Sequence, residues 1–278
     1  MTLSGKAALA GVLGWPVGHS RSPRLHGFWL ERHGIDGAYV PLPVRPEDFA
    51  QAVSALPLLH LRGANVTVPH KEAAAALCDS MDDHARRLGA VNTLVFSEGQ
   101  IHGANTDGAG FLDNLRQGAP DWRAESGAAV VLGSGGAARA VIVALLDAGV
   151  PELRLANRTR AKAEALAESF GGPIRVFDWG DWTRVLDGAG LLVNTTSLGM
   201  QGQPPLEIAL DALPGAAVVN DIVYQPLETE LLRMAAGRGN RVVDGLGMLL
   251  HQARPGFEAW FGVRPEVDEA LRDFVLQG

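Results

Sequence analysis

The feature that most constrains this chain is a regular alternation of short apolar runs with longer helical patterns, sustained from end to end. Such alternation points to an α/β architecture with mainly parallel sheets, because parallel strands need a crossover element between them. The first third reads as strand (Ala8–Gly14), helix (Pro23–His33), strand (Ala38–Val44), helix (Pro46–Ala55), strand (Gly63–Val68) and helix (His70–Leu77). The runs Val91–Phe96 and Gln100–Asn105 flank Ser97-Glu98-Gly99 like a hairpin, and a helix follows Asp107. The polar, turn-rich stretch Gln117–Gly127 reads as a domain seam. From Ala128 the pattern restarts with strand Ala128–Leu132, helix Gly136–Ala148, strand Glu152–Asn157 and helix Arg160–Phe170. Strands at Ile174–Phe177, Leu191–Asn194, Ala217–Asp221 and Arg241–Asp244 follow, and Leu246–Phe261 reads as a long terminal helix.

A chain of 278 residues is long enough for two domains and buries roughly 75% of its unfolded surface, so it needs no disulfide or metal to hold together. Its net charge of −7 argues against nucleic acid as a partner, since a nucleic-acid-binding face leaves a basic excess. No apolar run approaches the roughly 20 residues of a membrane span, so no membrane is expected. Cys78 is the single cysteine, which excludes an intrachain disulfide and a cysteine-rich zinc site. A reducing, cytoplasmic setting is expected, with Cys78 a small buried residue and not a nucleophile. Lys6–Gly14 sets a cation before an apolar run, but the run is short and no small-residue cleavage site follows; it reads as the first buried strand, not a signal peptide. The triplets Asn65-Val66-Thr67, Asn157-Arg158-Thr159 and Asn194-Thr195-Thr196 match the glycosylation sequon, which means nothing without secretion.

The strongest local motif is the apolar strand Ala128–Leu132 running into Gly133-Ser134-Gly135-Gly136-Ala137-Ala138-Arg139. It fits G-x-G-x-x-G/A with Gly133, Gly135 and Ala138, in the strand-to-helix setting the motif requires. Gly133 permits the tight turn, Gly135 lets backbone approach a pyrophosphate, and Ala138 lets helix pack on strand. The helix N-terminus supplies amide donors and the positive end of a dipole. An NAD site usually ends its second strand in an acid; Glu152 only begins that strand, which ends at Asn157-Arg158-Thr159 with Arg160 and Lys162 beyond. Cations at a helix start oppose the dipole unless a phosphate lies there, so NADP is the expected cofactor.

Four polar clusters close strands in the first third: His19-Ser20-Arg21-Ser22-Pro23, Asn65 to Lys71, Ala90-Val91-Asn92-Thr93 and Asn105-Thr106-Asp107-Gly108. Each alone has a structural explanation, as cap, turn, strand or surface residue, but ligands of open α/β sheets bind beyond the carboxyl ends of strands, where all four fall. One serine before Pro23 suffices for a cap, so the second asks for another role, such as holding an anion.

At these residues the chain resembles the shikimate dehydrogenase family of NADP-dependent enzymes. The matching pieces are Gly14-Trp15-Pro16-Val17-Gly18-His19-Ser20-Arg21-Ser22-Pro23-Arg24-Leu25-His26, Asn65-Val66-Thr67-Val68-Pro69-His70-Lys71, Gly89-Ala90-Val91-Asn92-Thr93 and Asn105-Thr106-Asp107-Gly108. They continue through Gly133–Ala137, Asn157-Arg158-Thr159, Asn194–Met200, Asp221-Ile222-Val223-Tyr224 and Asp244-Gly245-Leu246-Gly247-Met248-Leu249, in family order over nearly the whole chain. The resemblance implies an N-terminal α/β substrate domain (residues 1–107 with 245–278) and a Rossmann-like NADP-binding domain (108–244). It implies reversible reduction of 3-dehydroshikimate to shikimate in aromatic amino-acid biosynthesis. By carry-over, Ser20, Ser22 and Tyr224 hold the substrate carboxylate, Thr67, Asn92, Asp107 and Gln252 contact ring hydroxyls, and Lys71 and Asp107 form the catalytic pair. The cofactor would be held by Gly133, Ser134, Gly135, Gly136, Ala137, Asn157, Arg158, Thr159, Lys162, Thr195 and Ser197, with Met200, Ile222, Gly245, Met248 and Leu249 towards the nicotinamide.

Hydride arriving at a ketone carbon leaves charge on its oxygen, so a donor must stabilise that charge and deliver a proton. Lys71 suits the role, and Asp107 would favour its charged form; which of the two carries the proton stays open. His70 and Ala138 depart modestly from the family pattern, His70 standing where an apolar residue is frequent. The competing readings are a quinate/shikimate dehydrogenase that also uses NAD, a non-catalytic NADP-binding module, and another Rossmann reductase. The partners expected are the small-molecule substrate and no metal, with the chain a monomer or homodimer.

Overall fold

The computed structural model describes residues 2–277. The chain divides into two compact units, one made of the residues up to Thr106 with those from Leu250 onward, the other of Asp107–Leu249.

The first unit carries β1 (Ala8–Gly14), β2 (Gly37–Pro43), β3 (Leu61–Val66), β4 (Ser80–Met81), β5 (Thr93–Ser97) and β6 (Gln100–Ala104) in one sheet of order β2-β1-β3-β5-β6-β4. β1 lies parallel to β2 and β3, while β5 runs antiparallel to β3 and β6, the hairpin expected around Ser97-Glu98-Gly99. Helices α1 (Ser22–Arg32), α2 (Phe49–Ala55), α3 (Lys71–Ala75) and α4 (Asp83–Leu88) connect the strands. α3 stops short of the expected Leu77. Cys78 sits in the turn beyond it, half-buried, its thiol directed at the Ala74 carbonyl 3.2 Å away. Burial, with the Asp79 carboxylate beside it, pushes that thiol up to about 11.

The second unit holds β7 (Ala128–Leu132), β8 (Leu153–Ala156), β9 (Ile174–Phe177), β10 (Ala189–Asn194), β11 (Val218–Asp221) and β12 (Arg241–Val243). Their order is β12-β11-β10-β7-β8-β9, with every neighbouring pair parallel. This is the doubly wound arrangement, with its reversal of strand order at β7 and β10. β7 is buried along its whole length, as the unbroken apolar run predicts for a strand covered on both faces. The unit's helices are α5 (Asp107–Gly118), α6 (Gly136–Asp147), α7 (Arg160–Phe170), α8 (Trp182–Leu186) and α9 (Glu230–Gly237). α5 comes close to α6 at Gly108, where a Cβ would stand 3.0 Å from the Ala140 carbonyl oxygen. Trp122 packs on the same core cluster as Phe111 and Val131. The stretch 117–127, read as a seam, therefore lies inside this unit.

α10 (Leu246–Phe261) is not terminal, because α11 (Glu269–Leu276) follows. α11 is capped by Asp268, which accepts from the Leu271 amide at 3.0 Å. Its last carbonyls are met by α1: Arg24 donates to Phe274 O at 2.6 Å and Arg21 to Val275 O at 3.1 Å. Around Trp29, Phe257 and Trp260 the first unit has an aromatic core, in which Trp260 Nε1 donates to Leu94 O at 2.9 Å. His26 is stacked on Tyr39 there, centroids 3.9 Å apart, and burial pushes its imidazole down to about 3, so it is neutral. Among the described residues, no helix is long and apolar enough to cross a membrane and no group of His, Cys, Asp or Glu is placed to hold a metal ion.

Asp221, at the end of β11, has no exposed surface. It accepts from Asn194 Nδ2 at 3.0 Å, Val223 N at 3.0 Å and Thr229 Oγ1 at 2.7 Å. Burial nevertheless outweighs these bonds and raises the carboxyl to about 6. A raised folded-state value favours the fold fully below the ordinary carboxylate value, and that contribution is lost as pH rises through the folded one. Asp221→Asn cannot ionise. The stability of the native protein relative to this variant should therefore fall by roughly 2 kcal/mol between about pH 4 and pH 7, measured by urea denaturation. A difference that is flat or rises with pH would show that Asp221 titrates normally.

Candidate functional site

The glycine loop closes β7 as its sequence requires. Gly133 adopts φ +107°, a conformation that L side chains rarely take, and Thr195 Oγ1 stands 2.8 Å from where its Cβ would be. Thr195 is held there by its hydroxyl, which donates to Leu132 O at 2.6 Å. A Cβ on Gly135 would meet nothing within 4 Å, so its backbone borders open space. A cavity of about 340 Å³ opens at this loop, lined by Gly133, Ser134, Gly135, Asn157, Arg158, Thr159, Lys162, Thr195 and Ser197, and also by Thr196 and Trp179. Gly136 and Ala137 begin α6 just beyond that lining.

Two helices start at this cavity without a cap of their own. Gly135 precedes α6 and Thr159 precedes α7; neither makes a side-chain cap bond, and neither helix has an acid in its first turn. Their first amides thus need an outside acceptor. The three cations after β8 divide. Arg160 is tied by Nε to Glu164 at 2.7 Å and by a second nitrogen to Asp178 at 2.7 Å, so it belongs to the helix start and not to a phosphate. Arg158 and Lys162 have no carboxylate partner among the described residues. Glu152 is spent at the opposite end of β8, bridging Arg154 and Arg175 at 3.0 Å each, and those guanidinium groups hold its carboxyl below the usual range. No acid is left to take a ribose 2′-hydroxyl, and two cations are positioned for an anion. These residues fit a pyrophosphate together with a 2′-phosphate.

Elsewhere in this unit, Met200 is exposed and Ile222, Tyr224 and Met248 are half-buried. Gly245 is needed by its own chain, because a Cβ there would run into the backbone of Ile222, and a Cβ on Gly247 would strike the Asn114 side chain. Asp107 is the first residue of α5.

In the first unit, Ser20, Ser22, Thr67, Lys71, Asn92 and Gln252 stand on segments braced by a buried polar network. Ser20 Oγ accepts from the amide of Ser22, the first residue of α1, at 3.3 Å, which leaves the Ser20 proton to donate; Arg21, at the cap position itself, makes no side-chain cap bond. Ser22 hydrogen-bonds to Tyr39, whose phenol burial pushes well above its ordinary value. Tyr39 Oη donates in turn to Asn65 Oδ1 at 2.6 Å, while Asn65 Nδ2 reaches Asn92 O at 3.1 Å and Thr93 Oγ1 at 3.2 Å. Asn92 Oδ1 accepts from Thr106 N at 3.0 Å, and its Nδ2 points at Gln252 Oε1, 3.4 Å away. Thr67 is clamped to β1 through its amide on Leu13 O at 2.9 Å, and Gly14 leaves room for its methyl. Lys71 opens α3, half-buried, and its carbonyl accepts from Val91 N at 2.9 Å. His70 is stacked on Phe49 at 4.3 Å with Nε2 2.8 Å from Val44 O, so it is an accommodated neighbour of Lys71 whose Nε2 carries the proton.

Trp179 and Tyr39 are not singled out by any sequence motif, and Asp221 enters only as part of the matching piece Asp221–Tyr224. Trp179 stands two residues past β9, as Arg158 stands two past β8, and that symmetry was a usable signal. Tyr39 looked like an ordinary strand aromatic, and Asp221 like a strand end.

Family models for the shikimate dehydrogenase substrate-binding domain, the shikimate/quinate 5-dehydrogenase domain and the shikimate 5′-dehydrogenase C-terminal domain match residues 12–94, 118–199 and 245–272. The NADP(+) shikimate dehydrogenase of Paramagnetospirillum magneticum is 63% identical, with 99% of this chain and 100% of that protein covered. The shikimate 5-dehydrogenase of Thermus thermophilus, solved with NADP(H) and shikimate, matches with TM-score 0.87 at 37% identity over 97% of this chain and 99% of that one. Quinate dehydrogenase of Corynebacterium glutamicum, solved with NAD, matches with TM-score 0.90 at 31% identity over 98% and 99%. Similarity of this extent along the whole chain leaves one assignment: the protein belongs to the shikimate dehydrogenase family.

Proposed function

We propose that this chain is an NADP-dependent dehydrogenase that interconverts 3-dehydroshikimate and shikimate, a step of aromatic amino-acid biosynthesis carried out in the cytoplasm. The observation that carries the reading is the glycine-loop cavity with two uncapped helix starts and the unpaired cations Arg158 and Lys162, in a chain 63% identical to an NADP(+) shikimate dehydrogenase. NADPH, when bound, supplies the hydride. Gly133–Ala137 and the first turn of α6 bind the pyrophosphate, and Arg158 and Lys162 with Asn157 and Thr159 bind the 2′-phosphate and its ribose. Thr195, Ser197, Met200, Ile222, Gly245 and Met248 border the remainder.

Ser20 donates its hydroxyl proton to the substrate carboxylate, Tyr224 is a second donor, and Ser22 joins them by turning its proton from Tyr39 to the carboxylate. Thr67, Asn92 and Gln252 orient the ring hydroxyls, with Asn92 held in one orientation by its bonds to Thr106. Lys71 stands at the carbonyl oxygen, stabilises the charge that develops there and delivers a proton, and Asp107 shares the proton with it.

A quinate-accepting, NAD-using enzyme is the second reading, favoured by the likeness to the Corynebacterium protein. Against it stand the absence of an acid at the end of β8 and the engagement of Glu152 by two arginines.

Mixing the purified protein with shikimate or quinate, each with NADP or NAD, and following the absorbance of reduced nicotinamide separates these readings. Fast reduction with shikimate and NADP alone is expected. Comparable rates with quinate or NAD would move the protein to the second reading, and no turnover in any combination would end the enzyme assignment. Arg158→Asp should raise KM for NADP by roughly 10- to 100-fold, the loss of a charge-assisted bond, and narrow the preference over NAD. An unchanged NADP/NAD ratio would remove Arg158 from the 2′-phosphate site. Lys71→Ala should lower kcat by roughly 100- to 10,000-fold with little change in KM; a normal kcat with raised KM would make Lys71 a binding residue only.

A further inference from the structure

β8 and β9 end level with one another, since Ala156 pairs with Phe177 in their register. Arg158 and Trp179 therefore each stand two residues beyond the last rung, on adjacent connections, and both line the glycine-loop cavity. Trp179 is half-buried, packed on the second core cluster of its unit, and meets Trp182 edge to face with centroids 5.1 Å apart. The residue before it, Asp178, is bonded to Arg160 at the start of α7. The connection that carries the indole is thus fastened to the start of α7, the helix that carries Lys162 and follows Arg158. Among the residues lining the cavity, Trp179 is the sole aromatic; the others are glycines, hydroxyls, an amide and the two cations.

We infer that Trp179 is the platform for the adenine of the cofactor, an inference that rests on the NADP reading of this cavity. A 2′-phosphate held by Arg158 and Lys162 sits on the ribose that bears the adenine, so the base must lie within a few bonds of those cations. A purine is flat and poorly hydrated on its faces, and the indole is the lining group that offers a matching apolar face. The Arg158 guanidinium is a second planar surface at the same edge of the sheet. Trp179 thereby adds affinity for the base itself, separate from the charge interactions with the phosphate.

The test is calorimetric binding of NADP and of 2′,5′-ADP, which carries the adenine and the 2′-phosphate but no nicotinamide, to the native protein and to Trp179→Phe, Trp179→Leu and Trp179→Ala. Circular dichroism checks that each variant folds, and if Ala does not, the Phe and Leu pair decides. The flat Phe ring should hold affinity within about threefold, whereas Leu and Ala should lose roughly 5- to 100-fold for both ligands, the range of base–aromatic stacking. Leu binding as well as Phe would make Trp179 a mere apolar wall, and Leu or Ala binding like the native protein would remove it from the site; either result overturns the inference alone. A folded native protein that binds neither ligand would overturn the NADP reading and this inference with it.

Discussion

A buried amide must find its hydrogen bonds inside the protein, and that constraint fixes the strand-end loops of both units. Asn92 is 2% exposed and Asn194 is fully buried, and each bonds with both ends of its amide. Asn92 ties the loop after β6 to the start of β5; Asn194 ties the loop after β10 to Asp221 on β11. A buried partner left unsatisfied costs about 1–3 kcal/mol, so these loops have one arrangement and not several. Thr67, Lys71, Thr195 and Ser197 extend from or beside such braced ends, which gives a ligand rigid neighbours although the residues themselves lie on loops.

The helices show how a ligand can be written into a fold. α4, α9 and α11 begin with Asp82, Thr229 and Asp268, each accepting a backbone amide through its side chain. α6 and α7 begin at Gly135 and Thr159 with no such bond. α1, α2, α3 and α8 also start without a side-chain cap bond, so what sets α6 and α7 apart is that their starts border the glycine-loop cavity, where an anion can meet their amides. A like contrast separates Arg160, neutralised by Asp178 and Glu164, from Arg158 and Lys162, which are not. An anion seated there satisfies groups that the protein alone does not, and so stabilises the native state by mass action.

How much of this was legible in the sequence follows from which signals are local. β1, β7 and β10 announce themselves because burial on both faces leaves nearly unbroken apolar runs, whereas the edge strands β9 and β12 each carry an arginine and are partly exposed. β4, α4, α8 and α9 are too short for a period to emerge, and they persist because tertiary packing holds them. α11 carried a readable Asp268 cap, but its C-terminus depends on Arg21 and Arg24 from far along the chain. At the site, the glycine loop and its cations could be read from spacing alone. The engagement of Arg160 could not, because Asp178 meets it only through the register of β8 and β9. Trp179 in Trp179-Gly180-Asp181-Trp182 resembles core in sequence, and only the strand pairing brings it to the cavity edge.

Glu152 has a consequence for the stability of such a protein. It is an acid on the strand that conventionally presents one to a ribose, yet it is locked at the far end by Arg154 and Arg175. Arg158, by contrast, is exposed, and no carboxylate among the described residues pairs with it. The fold does not draw its stability from Arg158, the residue proposed to meet the 2′-phosphate. A substitution at the tip of β8 therefore leaves the packing of the core untouched, so the charge presented to a ligand there can change without a matching loss of stability.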